Sequence, residues 1–319
     1  MECRICHNNE HNKELILREM MYGFKDEFTY FQCNSCGCIQ IKDFPKDMSK
    51  YYPKDYYSFN APDIPLKRSV IRKIHYDYYA YGANKILGKI ISLKFKPSLF
   101  YNWLKDLHLQ NRDAKILDVG CGNGQLLKRI FRLGFNDLTG ADPFIEKDIL
   151  LNENLRIYKK EIFELQGHYD IIMLHHSLEH MERQEDIIKK IVTLLSNEGS
   201  VLIRIPIVSK VLMEKYGANV ATLDAPRHFF IHSLQSIKQL LSHNGLSIQK
   251  IVYESELFSI LASEQYMRGI SIVNDERSYI QNRSSTIFTT EQLVKFQEEI
   301  DEYNKKQESD FIAIYAKLN

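Results

Sequence analysis

The chain of 319 residues predicts an α/β fold, a Rossmann-like sheet with helices on both faces, and three observations carry that expectation. Residues 115–119, KILDV, are an apolar run with too little alternation for a half-exposed strand, so they read as a strand buried on both faces of a parallel sheet. The run leads into three alternate glycines, Gly120, Gly122 and Gly124, and then into a helical pattern. A glycine turn at the carboxyl end of such a strand is where open α/β sheets hold ligands. Beyond it, strand-like and helix-like segments alternate toward the end of the chain.

The first fifty residues carry their own signal. Cys3 and Cys6 form one CxxC pair, Cys33 and Cys36 a second, with 26 residues between the pairs. Four thiolates at this spacing predict a structural Zn²⁺ site, each CxxC presenting two sulfurs to a tetrahedral ion. The intervening residues leave room for a short β-hairpin, one strand of which is expected at 28–32. A unit with so few core residues would draw much of its folding energy from the metal. His7 and Cys38 are alternative ligands, but the four regularly spaced cysteines are the simpler set.

Residues 54–105 follow, rich in aromatic and basic side chains, with ten Lys or Arg against three Asp or Glu. That net charge of +7 contrasts with the overall +1 and raises a nucleic-acid reading. Residues 64–94 also place apolar residues at helical spacing, so a solvated basic face over a core-packed stripe accounts for the same pattern. A third use is a basic, aromatic wall for a nucleotide-linked sugar.

The expected organisation is therefore a zinc-ribbon-like domain at 1–50, a basic aromatic helical linker or cap at 51–110, and the α/β domain at 111–319, with cap insertions at 208–225 and 254–309. The apolar share of 44% suffices for a large core. No run of eighteen apolar residues occurs and the first twenty residues lack a signal-peptide pattern. Membrane insertion is not expected, and the chain reads as cytoplasmic, where cysteines rarely pair in disulfides.

After Gly120 and Gly122, Gln125 stands where the dinucleotide fingerprint GxGxxG needs its third glycine, which disfavours nicotinamide or flavin. The segment resembles motif I of class I methyltransferases that use S-adenosylmethionine (SAM), an acidic residue, an apolar residue and GxGxG, matched by Asp118, Val119 and the three glycines. The resemblance implies a seven-stranded sheet and SAM as cofactor, and it covers about residues 111–319. Asp142, with Pro143 after it in LTGADP, stands at the end of the second strand, where the family binds the ribose hydroxyls. Glu161 and Ile162 stand where adenine is contacted. Asp118 either orients the glycine loop or meets the cofactor, and His175 either lines the cofactor site or fills a strand end. A helical run to Leu195, a turn at 197–199, a strand at 201–207, a helix at 233–243, strands at 246–253 and 310–317, and a charged amphipathic helix at 290–307 complete the order.

The chemistry is expected just beyond the fourth strand, at His176, Glu179 and His180, which would share one face of a helix, and at Asp224, Arg227 and His228 in LDAPRHFF. The cysteine ribbon, the YYP at 51–53, the LEH at 178–180 and the DxPRH at 224–228 together resemble bacterial SAM-dependent methyltransferases of sugar and cell-surface polysaccharide biosynthesis, including sugar C-methyltransferases. Membership implies a small glycosyl or nucleotide-sugar acceptor. Methyl transfer from a sulfonium is an in-line displacement that needs alignment and usually removal of a proton. His180 and His228 are the leading general bases and His176 the next, with Glu179 orienting an imidazole; Arg227 and Asp224 are the acceptor-binding candidates. HxxEH plus a distant histidine also partly resembles the metal site of RNA 2′-O-methyltransferases. Two other functions stand beside the leading one: an RNA methyltransferase whose ribbon contacts nucleic acid, disfavoured by the near-neutral charge, and a non-catalytic SAM-binding assembly protein.

Overall fold

The computed structural model describes residues 1–53 and 64–319; the first part of the 51–110 linker, residues 54–63, lies outside the described residues. In chain order the elements are β1 (Lys13–Arg18), β2 (Glu27–Gln32), β3 (Ile39–Ile41), α1 (Val70–Tyr81), α2 (Lys85–Lys94), α3 (Leu99–Asp106), β4 (Lys115–Val119), α4 (Gln125–Phe131), β5 (Asp137–Ala141), β6 (Ile149–Asn152) and β7 (Leu155–Tyr158). Then come β8 (Tyr169–His175), α5 (Gln184–Leu194), β9 (Leu195–Pro206), α6 (Lys210–Tyr216), β10 (Phe230–Ile231), α7 (Leu234–His243), β11 (Leu246–Tyr253), α8 (Leu257–Met267), α9 (Thr290–Lys306) and β12 (Phe311–Leu318).

The large sheet has the order β11-β12-β9-β8-β4-β5-β7-β6. β4 lies at its centre between β5 and β8, parallel to both, and β12 runs antiparallel between β9 and β11. The sheet has one strand more than the seven that the resemblance implies: β6 folds back antiparallel on β7 and closes the edge. Alternating side chains feed two cores, as a strand buried on both faces requires. Leu117 and Val119 of β4 pack with α5 and α7 on one face, whereas Ile116 packs with α1, α3 and α4 on the other. The turn expected at 197–199 is instead part of β9. Tyr169 pairs with Leu195 and Ile171 with Ser200, so the extra residues form a bulge within a continuous strand.

The N-terminal sheet has the order β1-β2-β3-β10, and its last strand comes from beyond the DxPRH segment. Phe230 pairs with Gln40 and Ile231 with Ile39. Leu17, Tyr30 and Ile41 belong to the same apolar core as Leu117 and Ile203. The cysteine-bearing module is thus built onto the large domain, with the residues around 228 as the join.

The expected core-packed stripe of the linker is half right. α1 buries His75 and Tyr76, but α2 is inverted: Gly88 packs against Tyr78, while Ile86, Ile90 and Leu93 face outward. Among the described residues no helix is long and apolar enough to cross a membrane.

Candidate functional site

β4 delivers Asp118 and the glycines to the carboxyl edge of the sheet. Gly120 and Gly124 have φ of +73° and +74°, where a side chain is strained, and added Cβ atoms would lie 2.5 Å from Ser177 Cβ and 2.1 Å from Ile157 Cδ1. Glycine at both positions therefore lets the loop fold against Ser177, just beyond β8, and against β7. Gly124 caps α4, which places the positive end of that helix at the loop.

Asp142, at the end of β5, accepts from the Gly122 N–H at 2.8 Å and, through its other oxygen, from the Phe144 N–H at 2.9 Å. Each oxygen keeps a lone pair for a further donor. Burial raises its pKa, against these two bonds. Asp118 is 2% exposed, with Oδ1 buried and without a hydrogen-bond partner. Burial first, and the neighbouring Asp142 second, push its pKa up to about 8. Two desolvated carboxyls, one with an orphaned oxygen, beside a glycine loop suit a ligand that brings cationic and hydroxyl groups, and SAM has an ammonium, a sulfonium and a ribose. Glu161 and Ile162 sit in a capped 3₁₀ turn just after β7. Pro143 immediately follows Asp142.

His175 ends β8 with its ring 4.9 Å from that of Trp103, and Nε2 is buried without a partner. Burial, then Arg204, hold its pKa well below the usual value. Arg204 stacks 3.8 Å over Trp103 and pairs with Glu254, which also accepts from Trp103 Nε1 at 2.9 Å. Trp103, Arg204 and Glu254 carry no motif, and no local sequence signal marks them.

The LEH segment is not the α-helix that its spacing suggests. His176 is left-handed with φ +51°, and Leu178–His180 form a single 3₁₀ turn. His176 Nδ1 still lies 3.6 Å from Glu179 Oε1. The cluster that does form is Glu179, His180 and His228, which bring one potential ligand atom each to within 4.8 Å of one another. The His180 and His228 rings are 4.8 Å apart. His180 Nδ1 donates to Arg227 O at 2.8 Å and His228 Nδ1 to Thr222 O at 2.7 Å, which leaves both Nε2 atoms with their lone pairs. Burial, then His228, lower the His180 pKa. Glu179 is 1% exposed and neither carboxylate oxygen has a hydrogen bond. Burial would raise its pKa, but His176, then His180 and His228, outweigh that and lower it. Tyr52 of the YYP segment brings its hydroxyl within 3.2 Å of His180 Nδ1.

Arg227, expected to hold acceptor, has 0% exposure and is committed elsewhere. Its guanidinium takes Asp224 in a two-pronged pair (Nε to Oδ2, 2.9 Å; Nη2 to Oδ1, 2.5 Å), and Nη2 also meets Glu19 of the N-terminal module at 3.1 Å. A buried guanidinium held by two carboxylates is not free for an external anion. Asp224 is held by the same pair, Arg227 more than offsetting burial to lower its pKa. Together with the Tyr30 hydroxyl, which donates to His228 O at 2.8 Å, these contacts fix the loop that bears His228.

Cys3 Sγ and Cys36 Sγ are 3.6 Å apart, Cys6 Sγ and Cys33 Sγ 3.5 Å, and all four sulfurs fall within 4.8 Å of one another. Sulfurs on a tetrahedral zinc are separated by about 3.8 Å. Gln40 Nε2 donates to Cys3 Sγ at 3.1 Å, an outer contact of the kind that orients thiolate ligands. Cys38 and His7 lie outside the cluster.

Residues 96–251 match a family model described as a methyltransferase domain. No curated protein matches the chain. Among solved structures it is similar to geranyl diphosphate C-methyltransferase from Streptomyces coelicolor A3(2), with 14% identity and a TM-score of 0.45, over 84% of this chain and 89% of that one. It is also similar to the plantazolicin methyltransferase BpumL, with 18% identity and a TM-score of 0.41, over 78% and 96% of the two chains. A third is the mycolic acid cyclopropane synthase CmaA1, with 13% identity and a TM-score of 0.43, over 78% and 98%.

Proposed function

We propose that this chain, an enzyme whose residues 96–251 are a SAM-dependent methyltransferase domain, methylates a small glycosyl or nucleotide-sugar acceptor in cell-surface polysaccharide or related biosynthesis. The observation that carries this reading is that the Nδ1 bonds of His180 and His228 leave both Nε2 atoms as proton acceptors, in one cluster with Glu179 beyond the end of β8. SAM, when bound, supplies an electrophilic methyl group. Asp142 accepts from the ribose hydroxyls, Asp118 faces the cationic end, and Glu161, Ile162, Pro143 and His175 line the remainder of that site. An imidazole of His180 or His228 removes the acceptor's proton, with His176 next to them and Glu179 stabilising the imidazolium that forms. Asp224 and Arg227 position His228 rather than touch the acceptor. The four cysteines hold a structural zinc. The test is methyl transfer to nucleotide sugars measured against transfer to RNA.

A second reading takes Glu179, His180 and His228 as ligands of a divalent ion, favoured by the buried carboxylate without a hydrogen bond and by both Nδ1–H groups being held by backbone carbonyls, the usual support of ligating histidines. Full turnover after chelation that leaves the cysteine-bound zinc in place would count against it.

The Asp118 carboxyl gives a pH-dependent prediction. Its folded pKa of about 8 lies above the unfolded value of about 3.9, so it lowers stability progressively as pH rises from about 4 to about 8. Asp118→Asn is expected to raise the apo Tm at pH 8 and leave it nearly unchanged at pH 4. A cationic ligand favours the carboxylate, so SAM binding to the native protein near pH 7 should release a proton, seen calorimetrically as a dependence on buffer ionisation heat. Equal heats in all buffers, with no Tm gain at pH 8, would remove this role.

A further inference from the structure

We propose that the outward face of α2 docks the enzyme on an anionic lipid surface. Globular helices turn their apolar stripe inward, and α2 does the reverse. Gly88 is buried, and a Cβ there would meet Tyr78 Cβ at 2.2 Å, so the helix is seated through its small residue. Ile86, Ile90 and Leu93, at i, i+4 and i+7, form one stripe on the other side with exposures of 79%, 52% and 81%, and Phe95 just beyond the helix is 57% exposed. Lys85, Lys89 and Lys94 border the stripe.

An apolar stripe rimmed by lysines is the pattern of helices that lie in the plane of a membrane interface. At ten residues α2 is about 15 Å long, half the thickness of a bilayer's hydrocarbon core, so it rests in the interface and does not span it. Charge selects the occupant. Residues 78–105, which include α2 and its flanks, hold five Lys and no acidic residue. Two copies of so basic a surface repel each other, whereas an anionic headgroup layer attracts it, by about 1 kcal/mol per basic residue near the surface. The proposal does not rest on the identity of the acceptor, because none of these side chains belongs to the site described above.

The test is co-sedimentation of the full chain with vesicles of phosphatidylcholine, alone or mixed with phosphatidylglycerol, alongside measurement of oligomeric state. Binding is expected only to the mixed vesicles, weakening as salt rises. The combined variant Ile86→Gln, Ile90→Gln, Leu93→Gln should lose at least about tenfold in vesicle affinity while keeping its circular dichroism and its affinity for S-adenosylhomocysteine. No binding to the mixed vesicles, or equal binding by the variant, would overturn the proposal. So would a dimer of the native chain that the variant converts to monomer without any vesicle binding.

Discussion

Replacing His180 and His228 together by alanine is expected to lower turnover by at least about a hundredfold, the scale of a positioned general base, while affinity for S-adenosylhomocysteine stays within about twofold. The split between the two readouts matters. Both imidazoles present Nε2, and the bonds that fix them run through Nδ1 to backbone carbonyls. The contacts that hold the 228 segment to the N-terminal module are the Tyr30 hydroxyl on the His228 carbonyl, the Arg227–Glu19 pair and the β10–β3 pairing, none of which uses an imidazole, so the loop keeps these anchors in the alanine variant. Glu179→Gln should slow turnover less than the double variant, because it removes the charge that stabilises an imidazolium and leaves both bases. Near-normal turnover in the double variant would remove acid–base work from this cluster.

Removing the zinc is expected to be as damaging by a different route. Native protein should contain one zinc per chain, and Cys33→Ser with Cys36→Ser should abolish it and lower the Tm sharply, since structural zinc sites supply on the order of 10 kcal/mol to small modules. The loss should reach the chemistry as well. β10, which begins two residues after His228, is the fourth strand of the module's sheet, and Glu19 of the module holds Arg227. Turnover should therefore fall further than affinity for S-adenosylhomocysteine, whose loop belongs to the other sheet. Protein that contains no zinc yet keeps its Tm and activity would contradict this.

What could be read in the sequence was local. KILDV and the alternate glycines place β4 and its loop because the signal lies in adjacent residues, and the CxxC pairs do likewise for the cysteine cluster. The succession of strands and helices was legible because helix and strand periods alternate along residues 115–318, whereas the order of the strands in the sheet comes from the structure. The bulge in β9 was not legible, because Asn197 and Gly199 carry ordinary turn chemistry and only the pairing with β8 makes them strand. The pairing of β10 with β3 joins residues about 190 positions apart in a two-residue strand, too short for any periodic signal. Arg227 shows the same limit: an arginine beside a histidine reads as an anion binder until Glu19, 208 residues away, is seen to occupy it. In α2 the periodicity was visible, but the direction of the stripe depends on which face Tyr78 receives.

The most direct measurement is mass spectrometry of nucleotide sugars incubated with the enzyme and SAM, alongside a short RNA. The expected result is a sugar product heavier by one methylene, formed in step with S-adenosylhomocysteine and lost in the His180→Ala, His228→Ala variant, with the RNA unchanged. Methylated RNA with every sugar unchanged, or SAM binding without turnover of any acceptor, would contradict it.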